Sequence, residues 1–212
     1  MKKIDFKSLI ITVIICLLPI LFGVSIYDKL PEQVAVHFNL NNEPNNFMSK
    51  GFAVFLIPFI LAVFQIILCV VTDISDDKKE ENKKFTKISK MILPVIDIVV
   101  YVSIMMYALN EKVNIQLIVC FIIGFLLLIL GNYLPKYEPN SIETKKFDRE
   151  FLRKENKILG YVFVILGILW ILGAFSPNYI ALIILVITLV LSIVFISINL
   201  YLWKKQKLKN MN

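Results

Sequence analysis

The chain has 212 residues, 58% of them hydrophobic and only 18% charged, with a formal net charge of +7 at neutral pH. Soluble domains run nearer half apolar and a quarter charged, so this composition excludes an ordinary soluble globular domain. Three scattered cysteines and a single histidine argue equally against a disulfide framework and a zinc site.

In chain order the apolar residues fall into six blocks: Ser8–Tyr27, Phe52–Val71, Met91–Leu109, Ile115–Leu134, Ile158–Phe175 and Tyr179–Trp203. Each runs to 18–25 residues, the length a helix needs at 1.5 Å per residue to cross about 30 Å of hydrocarbon. Continuous apolarity without period-two alternation selects helices over a barrel. The expected fold is therefore an all-α membrane protein with six transmembrane helices. The first block follows three lysines and has no A-x-A cleavage site, so it is expected to stay as an anchor rather than leave as a signal peptide.

Lysine and arginine set the orientation. Three lie in the N-terminal segment, six between Lys78 and Lys90, seven between Lys136 and Lys157 and four between Lys204 and Lys209, leaving three of the 23 for the other loops. Both termini are expected inside, with the long loop between helices 1 and 2 outside. The chain then divides into a two-helix module (1–71) with its outer loop at 28–51, a charged cytoplasmic loop (72–90), and a four-helix module (91–212) with a basic cytoplasmic loop at 135–157. The basic charge is spread over several segments without aromatic interleaving, which favours contact with anionic lipid over direct nucleic-acid binding.

The outer loop, "LPEQVAVHFNLNNEPNNFMSK", holds the only histidine. His37 has Asp28, Glu32 and Glu43 nearby, but the chain offers no second histidine, H-E-x-x-H, G-x-S-x-G or P-loop. No catalytic residue, metal or cofactor is expected, and the loop reads as an ordered hairpin between kinked spans.

Pro19, Pro58 and Pro94 should kink or break the first three spans. Asp97 is the one charge set well inside an apolar block, about 9 Å from its start. It reads either as a ligand or proton site or as a structural acid, neutralised by a proton or by hydrogen bonding to Gln65 or Ser103. Cys16, Cys69 and Cys120 read as small packing residues. Gly124 and Gly131, with Gly160, Gly167 and Ala174, recur every seven residues and should let helices approach closely. The stretch from Thr144 through Phe147, Phe151 and Leu152 reads either as an amphipathic surface helix or as the solvated start of the fifth span.

The order of residues adds more. Leu30, Pro31, His37, Phe38, Asn39, Pro44, Asn45, Ser49 and Lys50 resemble the N-terminal module of the SdpI-like immunity protein family, with Asn42 where glycine is usual. Asparagine also tolerates left-handed backbone, so the turn should survive. A second stretch, Gly131, Asn132, Tyr133, Pro135, Pro139 and Asn140, is similar to the family's C-terminal module, although the Gly-Ile-Arg-Thr-Pro-Trp-like segment that normally follows is absent. The resemblance implies a bacterial plasma-membrane protein that protects its host from a secreted toxic protein or peptide and holds a transcription repressor at the membrane. On that resemblance Pro31, His37, Phe38, Asn39, Glu43, Pro44, Asn45 and Lys50 form the toxin-facing surface. The rival reading is a small proton-coupled transporter or carrier using Asp97, motivated by that residue and the proline-interrupted helices.

Overall fold

The computed structural model describes residues 4–39, 41–75, 82–139, 143, 148–176, 180, 183–191, 193–195 and 198. Among them are helices α1 (Phe6–Leu17), α2 (Pro19–Ser25), α3 (Ile57–Ser75), α4 (Lys83–Ala108), α5 (Ile115–Tyr133) and α6 (Arg149–Gly173). Among the described residues, five apolar stretches are long enough to cross a membrane: Phe6–Ser25, Phe52–Ile74, Lys83–Ala108, Ile115–Lys136 and Arg149–Gly173. They overlap the first five predicted spans. Within the sixth, 179–203, the described residues 180, 183–191, 193–195 and 198 are helical.

Two expectations change, and one open alternative is decided. The fold is not all-α, because the outer loop folds into a two-stranded antiparallel sheet, β1 (Gln33–Phe38) with β2 (Pro44–Ser49). Much of the charged 72–90 loop is helical: α3 runs on to Ser75 and α4 begins at Lys83. A buried ion pair, Lys90 Nζ to Asp73 Oδ1 at 2.6 Å, joins the last turn of α3 to α4 and removes both charges from solvent. Of the two readings open for the stretch from Thr144, the described part from Arg149 onward is the start of the fifth span. Asp148 caps α6, its Oδ2 accepting from the N–H groups of Glu150 and Phe151 at 3.0 and 3.3 Å. Thr144 and Phe147 lie outside the described residues.

The chain forms two compact units, one from 1–78 with 83–122 and one from 79–82 with 123–212. In the first, α1, α3 and α4 pack together, and a single stripe of α4 turns inward. Lys90, Pro94, Asp97, Tyr101, Ile104 and Met105 on that stripe are all buried, at the alternating spacing of three and four that defines one helix face.

The prolines decide how these helices are joined. A proline has no N–H, so the carbonyl four residues earlier loses its helical donor, and in hydrocarbon no water replaces it. Pro94 releases the Lys90 carbonyl, and Gln65 of α3 supplies the donor, Nε2 to O at 2.8 Å. Pro58 releases the Val54 carbonyl, and Tyr101 of α4 supplies its hydroxyl at 3.2 Å. Each helix thus satisfies the carbonyl that proline freed on the other. Around Val54 the backbone opens into a π-helical turn, Phe52–Leu56. Pro19 is handled locally, the N–H of Leu18 being shared between Ile14 O at 3.0 Å and Ile15 O at 3.3 Å.

In the second unit, glycines pair across α5 and α6. A Cβ on Gly124 would stand 2.9 Å from the Gly167 carbonyl, and one on Gly131 would stand 2.7 Å from the Gly160 carbonyl. Real Cβ atoms do not come so near, so both crossings require the hydrogen side chain. The heptad-spaced glycines therefore act as the sequence suggests.

The exchange of partners across α3 and α4 makes a specific prediction. Gln65→Leu leaves the Lys90 carbonyl buried without a donor and should cost about 1–3 kcal/mol. In a Pro94→Ala background the new N–H takes over that carbonyl, so most of the cost should vanish. Thermal unfolding in detergent measures both; an equal cost in the two backgrounds would contradict the exchange.

Candidate functional site

The hairpin is the sheet found among the described residues. Its strands pair Gln33 with Ser49, Val34 with Met48, Ala35 with Phe47, His37 with Asn46 and Phe38 with Pro44, with irregularities on either side of His37. Val34 and Leu30 are buried in the cluster that contains Ala53, Val54, Tyr101, Ile104 and Met105. Phe38 stacks edge-on against Tyr107 with centroids 4.7 Å apart. One face of the hairpin is thus nailed to the helices by apolar side chains.

The turn is held by Asn39. Its Oδ1 accepts the N–H groups of Asn41 and Glu43, each at 2.9 Å. Its amide donates to Glu43 Oε2 at 2.8 Å, and its own N–H reaches the Glu43 carbonyl at 2.9 Å. Asn42 adopts φ of 62°, the left-handed conformation expected where the family pattern has glycine.

Asn42 has a second function that sequence reading missed. Its Oδ1 accepts from Ile115 N at 2.8 Å and its Nδ2 donates to Val113 O at 3.1 Å. It therefore caps the first turn of α5 together with Asn114, whose Oδ1 accepts from Leu117 N at 3.0 Å. A glycine would serve the turn but leave that helix end less well capped. The available signal was asparagine standing where glycine is usual.

The base of the hairpin is closed by Lys50. Its Nζ pairs with Glu32 Oε1 at 2.8 Å and lies over the Tyr27 ring, 5.1 Å from the centroid. The hydrogen bond to Glu32 holds the Lys50 ammonium above its ordinary pKa. This contribution to stability is complete below the ordinary lysine value and is lost as pH climbs through the raised one.

The free face presents Pro31, His37, Glu43 and Asn45, with His37 Nδ1–H donating to Asn45 Oδ1. Phe47, which sequence reading did not single out, lies opposite Ala35 in the sheet with 52% of its surface exposed. Phe38, Asn39 and Pro44 are only partly exposed and serve as frame.

The other candidates lie apart from the hairpin. Asp97 is 1% exposed, and neither carboxylate oxygen has a hydrogen-bond partner among the described residues. The expected partners are engaged elsewhere, Gln65 with Lys90 O and Cys69 Sγ, and Ser103 with Val99 O. In the second unit, Gly131 and Pro135 pack on Gly160, while Lys136 binds Asn132 Oδ1 at 3.0 Å and lies over the Tyr133 ring. Asn82 and Glu138 exchange two hydrogen bonds of 2.8 Å, beside the buried Pro139. That motif closes a helix rather than lining an opening, and Asn140 lies outside the described residues.

A family described as a domain of unknown function, DUF1648, matches residues 14–62, which include the hairpin and the helices flanking it. The immunity protein SdpI of Bacillus subtilis (strain 168) is 26% identical over 205 residues, covering 94% of this chain and 97% of that protein. No solved structure matches the chain. The chain is thus SdpI-like along nearly its whole length, and a multi-pass protein of the plasma membrane.

The capping role of Asn42 predicts an order of stability. Asn42→Gly keeps the turn but removes the cap, at about 0.5–2 kcal/mol. Asn42→Ala adds the strain of a left-handed alanine, about 1 kcal/mol more. Thermal unfolding, with hydrogen exchange at the amides of 115–117, should rank wild type above glycine above alanine.

Proposed function

We propose that this SdpI-like chain is an immunity protein that holds its termini in the cytoplasm and its hairpin outside, where it intercepts a secreted, membrane-active toxin. The observation that carries the reading is the likeness to SdpI across 94% of the chain, hairpin module included. The mechanism follows from the hairpin's rigidity. A surface already fixed by Asn39, Asn42 and Lys50 loses little conformational freedom when a partner binds. His37, Asn45 and Glu43 offer polar contacts, and the exposed ring of Phe47 on the same hairpin offers an aromatic anchor.

An apolar cavity of about 590 Å³ continues from the base of β2 along Phe52, Phe55 and Phe59. These rings sit on one exposed face at spacings of three and four. A toxin gripped at the hairpin would meet this aromatic face as it entered the bilayer and would be held before assembling into a permeabilising form. No feature of the described residues supports the repressor-holding role.

A second reading rests on Asp97. An ionised carboxylate without a partner is too costly in hydrocarbon, so the group holds a proton or a cation. That is the property a proton-coupled carrier needs. Asp97→Asn separates the two readings, abolishing proton-linked activity in a carrier and leaving hairpin-based immunity intact.

Expression in a sensitive bacterium, challenged with killing proteins from related strains, tests the proposal. Wild type should protect against at least one, and His37→Ala or Phe47→Ala should lower the tolerated dose about tenfold, the effect of an interface residue worth about 1.4 kcal/mol. Absence of protection by the wild type, or full protection by both variants, would overturn it.

A further inference from the structure

Three side-chain oxygens are buried without a hydrogen-bond partner among the described residues: Asp97 Oδ1 and Oδ2, and Gln65 Oε1. Gln65 sits level with Lys90, whose carbonyl it holds, and Asp97 stands about 10 Å further along α4. A proton needs only the carboxyl itself, whereas among the described residues no cluster of metal-ligating side chains surrounds Asp97.

On one side of Asp97 the interior is polar. Gln65 Nε2 donates to Cys69 Sγ at 3.2 Å, and Cys69 Sγ lies 3.5 Å from Thr12 Oγ1 of α1. All three residues are buried. Thr12, with Asp73 and Lys90, lines a cavity of about 770 Å³ at the end of the unit opposite the hairpin. On the other side the interior is apolar. Leu30, Val34, Ala53, Val54, Ile104 and Met105 cluster around Tyr101, whose hydroxyl is committed to the Val54 carbonyl. That hydroxyl also occupies the room that the missing Cβ of Gly23 leaves on α2. A water needs about two to four polar partners, which the ladder of Gln65, Cys69 and Thr12 offers and the apolar cluster does not.

The buried titratable side chains around Asp97 are Cys16 of α1, Cys69 and Asp73 of α3, and Lys90 and Tyr101 of α4. Of these, Cys16 and Tyr101 lie within electrostatic reach of the carboxyl. Lys90 is spent on Asp73. The exposed Lys7 of α1 and Lys83, Lys84 and Lys87 of α4 stand near the starts of their helices. α2 carries no titratable group, while Tyr107 of α4 and His37 of β1 contact Phe38 and Asn45 at the hairpin end.

We propose that Asp97 is a proton-exchange site open to one face of the membrane only, the face away from the hairpin, through Gln65, Cys69 and Thr12. This exchange rests on the neutralised carboxyl of the second reading above and gives it a direction. The carboxylate takes its proton from hydronium in water held along the ladder and yields it to hydroxide when that face turns alkaline. Water is the product each way. Intramembrane acids that relay protons have this kind of polar access.

Dicyclohexylcarbodiimide, a lipid-soluble reagent that adds to a protonated carboxyl and leaves a stable N-acylurea, reads the proton on Asp97. The full chain is prepared in membrane vesicles of both orientations, with Asn45→Cys and an impermeant maleimide reporting which face bears the hairpin. The adduct at Asp97, scored by mass spectrometry, should fall about tenfold per pH unit past its midpoint when the face away from the hairpin is made alkaline. Alkali on the hairpin face should leave the adduct unchanged. Thr12→Val with Cys69→Ala should slow the fall at least about tenfold, as removal of positioned proton-handling groups does. Unfolding temperature checks that this variant is folded, and Thr12→Val alone serves if it is not. An equal response to alkali on both faces, no response on either, an unslowed response in the folded variant, or protection of Asp97 by sodium at fixed pH would overturn the exchange. An equal response on both faces would still suit a carrier, and transport can be absent while the one-sided response stands, so the two readings fail separately.

Discussion

The first unit depends on a single constraint, that a backbone carbonyl buried among hydrocarbon must have a donor from within the protein. Two prolines break that rule on adjacent helices, and each helix repairs the other. Gln65 reaches the carbonyl freed by Pro94, and Tyr101 reaches the one freed by Pro58. The repairs are directional, so they set the register of α3 against α4 in a way that apolar packing among lipid-like side chains cannot. Asp97 lies on α4 between the two repairs, on the same buried stripe.

From that register the hairpin follows. Tyr101, Ile104 and Met105 sit on the α4 stripe and form the bed on which Leu30 and Val34 rest. The π-helical turn before Pro58 leads the chain out of the membrane-length helix and into β2. Asn42 then ties the tip of the hairpin to the start of α5. The polar loop is thus anchored at its base by Lys50, along its strands by apolar side chains and at its tip by a helix cap. In the proposed reading function and fold meet in this anchoring, since a fixed surface is what a binder of a membrane-active toxin needs.

Much of this was legible. Block length and continuous apolarity gave the helices, glycine spacing gave the close crossings of α5 and α6, and Asn42 in place of glycine gave a left-handed residue. What was not legible involved distant partners. Sequence alone does not place Asn42 beside Ile115, because nothing local links a turn to a helix 73 residues away. Asp73 and Lys90 read as loop charges because each is costly alone, and only their pairing makes burial affordable. Gln65 was matched to Asp97 as the nearest polar group in hydrocarbon. Counting four residues back from Pro94 would have exposed the stronger claim on its amide. The hairpin escaped the all-α expectation because its strands carry polar residues on one face and lie in a segment dense in asparagine, which disfavours strands on propensity.

The immunity reading depends on which side of the membrane the hairpin occupies, so the side is the quantity to measure. The native cysteines are all buried and can be replaced. A lone cysteine placed at Asn45 should react with a membrane-impermeant maleimide on intact cells, whereas one at Lys87 should react only after permeabilisation. The reverse pattern, Lys87 labelled from outside and Asn45 protected, would contradict the account.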